Sequence, residues 1–249
     1  MLSPPATNRG PKSFGNLKHI VKAAKMFIGV TSTSKTQIDQ LGDRLRKGEA
    51  SDEDVRLLED YRLSFAEAYE EVIASIQRAV QLEPTGRPAK LTSSIIAKLR
   101  REKTRLSRMQ DIAGCRVVVR DVLAQDQVIE RLRGELAGAK VIDRRKKPSN
   151  GYRAVHLIAT ARNKLIEIQV RTELQHLWAQ LSEKLADAGD PAIKYGGGDF
   201  KVRQLLSGLS DIIAGFEELE SPSVPVGLPA EVDQLKRNIR QMLEDAVRF

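Results

Sequence analysis

Apolar residues recur every three or four positions at Leu58, Tyr61, Phe65, Tyr69, Val72, Ile76 and Val80. That spacing predicts one long helix, opened by Ser51 and Asp54 as a capping box and running through about Leu82. The stripe is core-facing. "EPTGRP" then breaks the helix with two prolines and a glycine. "LTSSIIAKLRREKTRL" starts the next helix from a serine or threonine cap. A strand is predicted at about 112–120, and "VLAQDQVIERLRGELAG" is a helix ending at Gly138. "KVIDRR" reads as a short strand and "KKPSNG" as a flexible loop. "YRAVHLIATA" and "KLIEIQVRT" are two strands parted by the tight turn "RN", an antiparallel hairpin. "ELQHLWAQLSEKLADAG" is again helical, and "DPAIKYGGGDFK" is glycine-rich and mobile. Helices at about 201–219 and 229–247 flank the Pro-rich linker "ESPSVPVGLP". Upstream, 1–15 reads as a flexible tail and about 16–28 as a short amphipathic helix.

The expected fold class is α/β in the α+β sense: a mixed sheet of about five strands flanked by helices, with helical extensions at both ends. The divisions are a tail at 1–15, a helical extension at 16–83, a central domain at 84–190 and a C-terminal loop with helices at 191–249.

Composition narrows the partners. Of 249 residues 41% are hydrophobic, enough for a real core, and 30% are charged with a net +8. That excess favours anions: nucleotides, nucleic acid or an anionic membrane surface. The one cysteine, Cys115, lies in an apolar run and excludes an intramolecular disulfide. No Cys/His cluster has zinc-ligand spacing. No run approaches 18 apolar residues, and "MLSPPATNRGPKSF" lacks the apolar centre of a signal peptide. A cytoplasmic protein with no membrane partner is expected.

The charges on the strands change the picture more. Asp111 opens "DIAGCRVVV" and Arg116 stands in its middle, although a charge on a central strand is costly to bury without a partner. In "KLIEIQVRT", Ile166, Ile168 and Val170 share one face while Glu167, Gln169 and Arg171 share the other. Tyr152, Ala154, His156 and Ile158 likewise share a face. If the hairpin pairs, the polar faces converge, and Asp111 can join them. The plainer alternative is a half-exposed sheet with ordinary polar residues outward. Against it stand the concentrated cations: "KLRREKTR" has five in eight positions, and "RRKK" precedes the loop. Two acids beside many cations suit Mg²⁺ and a polyphosphate. The G-x-x-x-x-G-K spacing of a P-loop is absent.

"SSIIAKL", "LSRMQDIAGCRVVV", "KPSNGYRAVHLI" and "IEIQVRTELQHLWA" resemble, in order, the synthetase domain of the RelA/SpoT homologue family, over roughly 87–185. The resemblance implies a nucleotidyltransferase-like fold and transfer of the β,γ-diphosphate of ATP to the 3′-hydroxyl of GDP or GTP, with release of AMP. It implies Asp111 and Glu167 as Mg²⁺ ligands, with Glu167 also the general base on that hydroxyl. It implies ATP contacts by Arg87, Lys90, Ser94, Lys98, Arg116, Gln169 and Arg171, with Arg116 stacked on adenine. It places Tyr152 on the acceptor base, His156 with Lys146, Lys147 and Asn150 around the acceptor, and His176 at the base edge.

Three positions depart from the family pattern. The usual R-x-K pair reads Arg87-Pro-Ala-Lys90, "KPSNGY" has an extra serine, and His176 stands where small synthetases often carry asparagine. The last, with the +8 charge, leaves open a toxin-like relative that pyrophosphorylates adenosine nucleotides or tRNA 3′ ends; a further alternative is a non-catalytic nucleotide- or RNA-binding module, against which the retention of Asp111 and Glu167 speaks. No hydrolase motif is seen, which suggests a synthetase that does not degrade its product. The helical extensions exceed what the sheet needs as cover, so a homo-oligomer is expected.

Overall fold

A computed structural model describes residues 33–220 and 230–248. The tail at 1–15, the helix at 16–28 and most of the Pro-rich linker fall outside those residues.

Three helices lead in. Helix α1, Lys35–Lys47, is capped by Ser34 and Gln37 in a reciprocal box. Helix α2, Asp52–Leu63, starts from the expected Ser51–Asp54 box. Helix α3, Ala66–Val80, follows after a break. The single long helix expected through Leu82 is therefore two. Ser64 donates its hydroxyl to the Tyr61 carbonyl, and Phe65 N–H turns back to Arg62. These short-range bonds compete with the helical ladder and end it there. The apolar stripe survives, because Leu58, Phe65, Tyr69, Val72, Ile76 and Val80 are all buried.

The expected break at "EPTGRP" is also a strand, β1, Thr85–Arg87. It pairs antiparallel with β2, Ala113–Val119. The approach requires Gly86: a Cβ there would stand 2.5 Å from the Gly114 carbonyl oxygen. Between them lies helix α4, Thr92–Arg101, whose N-cap is Leu91 with no side-chain bond. The expected serine or threonine cap is absent because the Thr92 hydroxyl bonds Glu59 of α2 instead.

Helix α5, Val122–Glu135, ends before Gly138, which turns the chain with φ 77° into β3, Lys140–Asp143. The hairpin of β4, Val155–Ala161, and β5, Lys164–Thr172, is joined by Arg162 and Asn163, both with positive φ, as a two-residue turn demands. The sheet order is β1-β2-β5-β4-β3, with β2 and β5 parallel and the other pairs antiparallel. This is the mixed five-stranded sheet expected.

One face of the sheet is apolar. Ala113, Cys115, Val117, Val155, Leu157, Ile166, Ile168 and Val170 pack with the stripe of α3 and with Val128, Ile129 and Leu132 of α5. Burial pushes the Cys115 thiol up to about 12, so it is packing and not chemistry.

A second apolar cluster joins helix α6, Glu173–Ala188, to helices α7, Phe200–Leu219, and α8, Ala230–Arg248. Trp178, Leu181, Leu206, Ile213 and Leu243 form its centre. The segment before α7, expected to be mobile, holds a short turn, Pro191–Tyr195, capped by Asp190. Tyr195 lies on the Arg101 guanidinium, 3.6 Å from it. Among the described residues no helix is long and apolar enough to cross a membrane.

Candidate active site

Register brings the polar faces together as expected. Arg116 of β2 is opposite Gln169 of β5, which is opposite His156 of β4. In the next row Arg87 faces Gly114, and Gly114 faces Glu167. Gly114 allows this close approach, since a Cβ there would stand 2.8 Å from the Glu167 carbonyl oxygen.

Asp111 stands just before β2 and meets two cations. Lys90 Nζ lies 2.7 Å from its Oδ2 and Lys98 Nζ 2.8 Å from its Oδ1. Burial alone would raise this carboxyl, but the two lysines outweigh burial and hold it at about 2. Helix α4 supplies Lys98, with Ser94 one turn earlier. Asp111 is near enough to Glu167 to be felt electrostatically.

Glu167 sits in a closed ring of hydrogen bonds. Arg171 Nη2 donates to Gln169 Oε1 at 2.7 Å and to the Tyr152 hydroxyl at 3.0 Å. Gln169 Nε2 donates to Glu167 Oε2 at 2.7 Å. His156 Nδ1 lies 3.0 Å from Glu167 Oε1, and its Nε2 lies 2.9 Å from the Tyr152 hydroxyl. Because Glu167 accepts, Nδ1 carries the proton and Nε2 accepts from Tyr152. Burial opposes ionisation of Glu167, yet His156 and Gln169 reverse that and lower its pKa.

Both ring nitrogens of His156 are engaged within the protein, Nδ1 with Glu167 and Nε2 with Tyr152. Lys146, Lys147 and Asn150 are exposed on the loop, apart from this ring.

Beside the ring lies a group of buried nitrogens without partners. Arg116 Nε, Arg171 Nε and Nη1, and His176 Nδ1 are all buried and form no hydrogen bond in the protein. Burial, then Arg171, lowers the Arg116 pKa, and burial, then Arg116 and Arg171, pushes His176 down to about 4. His176 is thus neutral at pH 7. Such orphans cost about 1–3 kcal/mol each, so each calls for a partner that the protein itself does not supply. Arg171 also lies 5.0 Å over the Tyr152 ring, which is itself partly buried against the Trp178 cluster.

The loop expected to be flexible is a built turn. Ser149 and Tyr152 exchange backbone bonds across Asn150 and Gly151, whose φ values are 52° and 83°. Asn-Gly is the signal for such a turn and was legible. A Cβ on Gly151 would stand 2.7 Å from the Trp178 ring, so the turn packs against α6. Sequence reasoning passed over Arg153, Gln175 and Glu217. Gln175 and Glu217 form a buried network with Thr172 and Gln125. Nothing in their spacing signals it, since it joins residues from three helices and a strand.

A profile of the region found in RelA / SpoT proteins matches residues 86–186. An uncharacterized protein of Mycobacterium tuberculosis is 36% identical over 197 residues, covering 75% of this chain and 69% of that protein. The chain belongs to the RelA/SpoT family. Among RelA/SpoT-related structures, small alarmone synthetase 1 from Bacillus subtilis, bound to its product pppGpp, superposes with a TM-score of 0.54. The identity is 24%, over 74% of this chain and 98% of that one. A GTP pyrophosphokinase family protein from Streptococcus pneumoniae gives 0.52 at 21% identity, over 77% and 97%. Both likenesses are of fold, and the mixed sheet with flanking helices is the one they share.

As a metal site, Asp111 and Glu167 fit Mg²⁺ in one respect. They are two neighbouring carboxylates beside Lys90 and Lys98, and Mg²⁺ takes one or two carboxylates plus substrate phosphates. Among the described residues no group of three or more His, Cys, Asp or Glu is placed to hold a metal alone.

Proposed function

We propose that this chain moves the β,γ-diphosphate of ATP to the 3′-hydroxyl of GDP or GTP and releases AMP. The buried, unpartnered nitrogens of Arg116, Arg171 and His176 carry this reading. They suit a ligand with π-faces, ring nitrogens and phosphate oxygens. The Bacillus subtilis relative's product, pppGpp, supports a guanosine acceptor.

Arg116 stacks on adenine, and Arg87, Lys90, Ser94, Lys98, Gln169 and Arg171 face the triphosphate. Lys90 and Lys98 move from Asp111 to phosphate as ATP enters. Asp111 and Glu167 would hold Mg²⁺ with phosphate oxygens, and that ion supplies charge neutralisation on the transferred group. Tyr152 stacks on the acceptor base, with Lys146, Lys147 and Asn150 about its phosphates. Glu167 takes the proton of the 3′-hydroxyl, whose oxygen bonds to the β-phosphorus as the α–β bridge breaks and AMP leaves. Homo-oligomerisation is part of the proposal. Leu205, Ile212 and Leu219 recur every seventh residue on α7 and are exposed, as are Leu235 and Met242 on α8.

Incubation with labelled ATP and a panel of GDP, GTP, ADP and tRNA tests the reaction. Label on GDP or GTP is expected. Label on ADP or tRNA alone would favour the toxin-like reading, for which His176 in place of asparagine is the one specific support. No label on any acceptor, with ATP bound, would favour a binding module. A concentration-independent monomer mass by light scattering would remove the oligomer.

A further inference from the structure

The turn at 149–152 is closed by its own backbone bonds, and side chains tie it to the rest of the protein. Asn150 and Gly151 are both left-handed, and Lys146, Lys147, Ser149 and Asn150 are exposed. Arg153, which closes the segment, has a side chain only 14% exposed. Its guanidinium spans three partners. Nη1 donates to the Arg145 carbonyl, at the start of the same segment. Nε donates to Ser210 Oγ at 2.9 Å, and Nη2 to Asp211 Oδ1 at 2.9 Å, both on α7. Ser210 Oγ in turn donates to the Gly151 carbonyl at 2.6 Å. Asp211 is 68% exposed, so that ion pair alone contributes little. The strength lies in the forked geometry, which ties both ends of the segment to one helix.

Helix α7 also fixes the other wall. Glu217 accepts from the Thr172 hydroxyl at 2.6 Å and from Gln175 Nε2 at 2.9 Å. Those residues cap α6, whose next position is His176. One helix therefore sets both the Tyr152 turn and the His176 helix start. Neither contact involves Asp111, Lys90 or Lys98.

We propose that Arg153 is a positioning residue for the acceptor half of the site, fastening the 145–153 segment to α7 so that Tyr152 and the lysines stand where an acceptor nucleotide meets them. The nature of the acceptor rests on the reading above; the clasp does not. Displacement of about 1 Å at such a site is enough to matter to binding and rate.

The test compares wild type with Arg153→Met and Arg153→Lys. For Arg153→Met, amide hydrogen exchange should quicken at 146–152 and stay unchanged in β5. The KM for the guanosine nucleotide should rise about tenfold or more while that for ATP stays within about twofold, since only acceptor binding is disturbed. Arg153→Lys should recover part of the loss, because it restores charge but not the fork. Unchanged exchange, or equal losses of ATP and acceptor affinity, would overturn the clasp. If Arg153→Met does not fold, Ser210→Ala with Asp211→Ala releases the same contacts from α7 and is read in the same way. If the wild type labels no guanosine nucleotide, the functional reading fails and hydrogen exchange alone decides the clasp.

Discussion

His156 Nδ1 lies 3.0 Å from Glu167 Oε1, while the other nitrogen of the same ring meets the Tyr152 hydroxyl. The carboxylate proposed as base is thus held by a residue that also holds the proposed stacking ring. Glu167→Gln keeps the shape but removes charge and basicity, and turns an amide N–H₂ toward one of two donors. Diphosphate transfer should fall at least about a hundredfold, the scale of a lost general base. Affinity for a non-hydrolysable ATP analogue should persist. Near-normal turnover by a folded variant would remove Glu167 from its role.

The pairing of Asp111 with both Lys90 and Lys98 bears on metal binding. Two ammonium groups within 2.8 Å neutralise the carboxylate and occupy its oxygens. A divalent cation should therefore bind weakly to the protein alone and tightly once a triphosphate draws the lysines away. Titration with Mn²⁺ by electron paramagnetic resonance, with and without the ATP analogue, measures this directly. Equal affinity in both conditions would contradict it.

Much of this site was legible because period-two patterning fixes which residues share a face. Glu167, Gln169 and Arg171 had to point together once Ile166, Ile168 and Val170 were core, and the register then added His156 and Arg116. What failed was local. The break at Ser64 comes from a hydroxyl bonding a carbonyl three residues back, which does not disturb the apolar spacing. Strand β1 is three exposed residues, too short for alternation to show. The Arg153 clasp joins residues 57 and 58 positions apart, and only the packing of α7 brings them together.

His176 gives a pH prediction. Burial, then Arg116 and Arg171, lowers it from 6.5 to about 4. The unfolded chain therefore binds a proton in this window that the folded protein does not. Stability follows the difference in bound protons, so it is intact above about pH 6.5 and is lost as pH falls toward 4. His176→Asn removes the contribution. Between pH 6.5 and 4 the Tm of the variant should fall less steeply than that of the wild type. Parallel curves by calorimetry would show that His176 is not held neutral.

Arg116 separates stability from function. Its Nε is buried with no bond, its pKa is lowered by burial and by Arg171, and it lies in the middle of a central strand. In a residue kept for structure, removal would destabilise. Here the free protein carries an uncompensated donor, and replacing such a group with an apolar one of similar length is neutral or stabilising. Arg116→Met should leave the Tm unchanged or raise it by a few degrees, on the order of 1 kcal/mol. The same variant should lose affinity for the ATP analogue by at least about tenfold, the scale of a lost cation–π contact with a desolvated ring. The analogue should also raise the Tm of the wild type far more than that of the variant. A large drop in Tm with unchanged analogue binding would mean that Arg116 is part of the scaffold, and that the buried donors beside it face something other than a nucleotide.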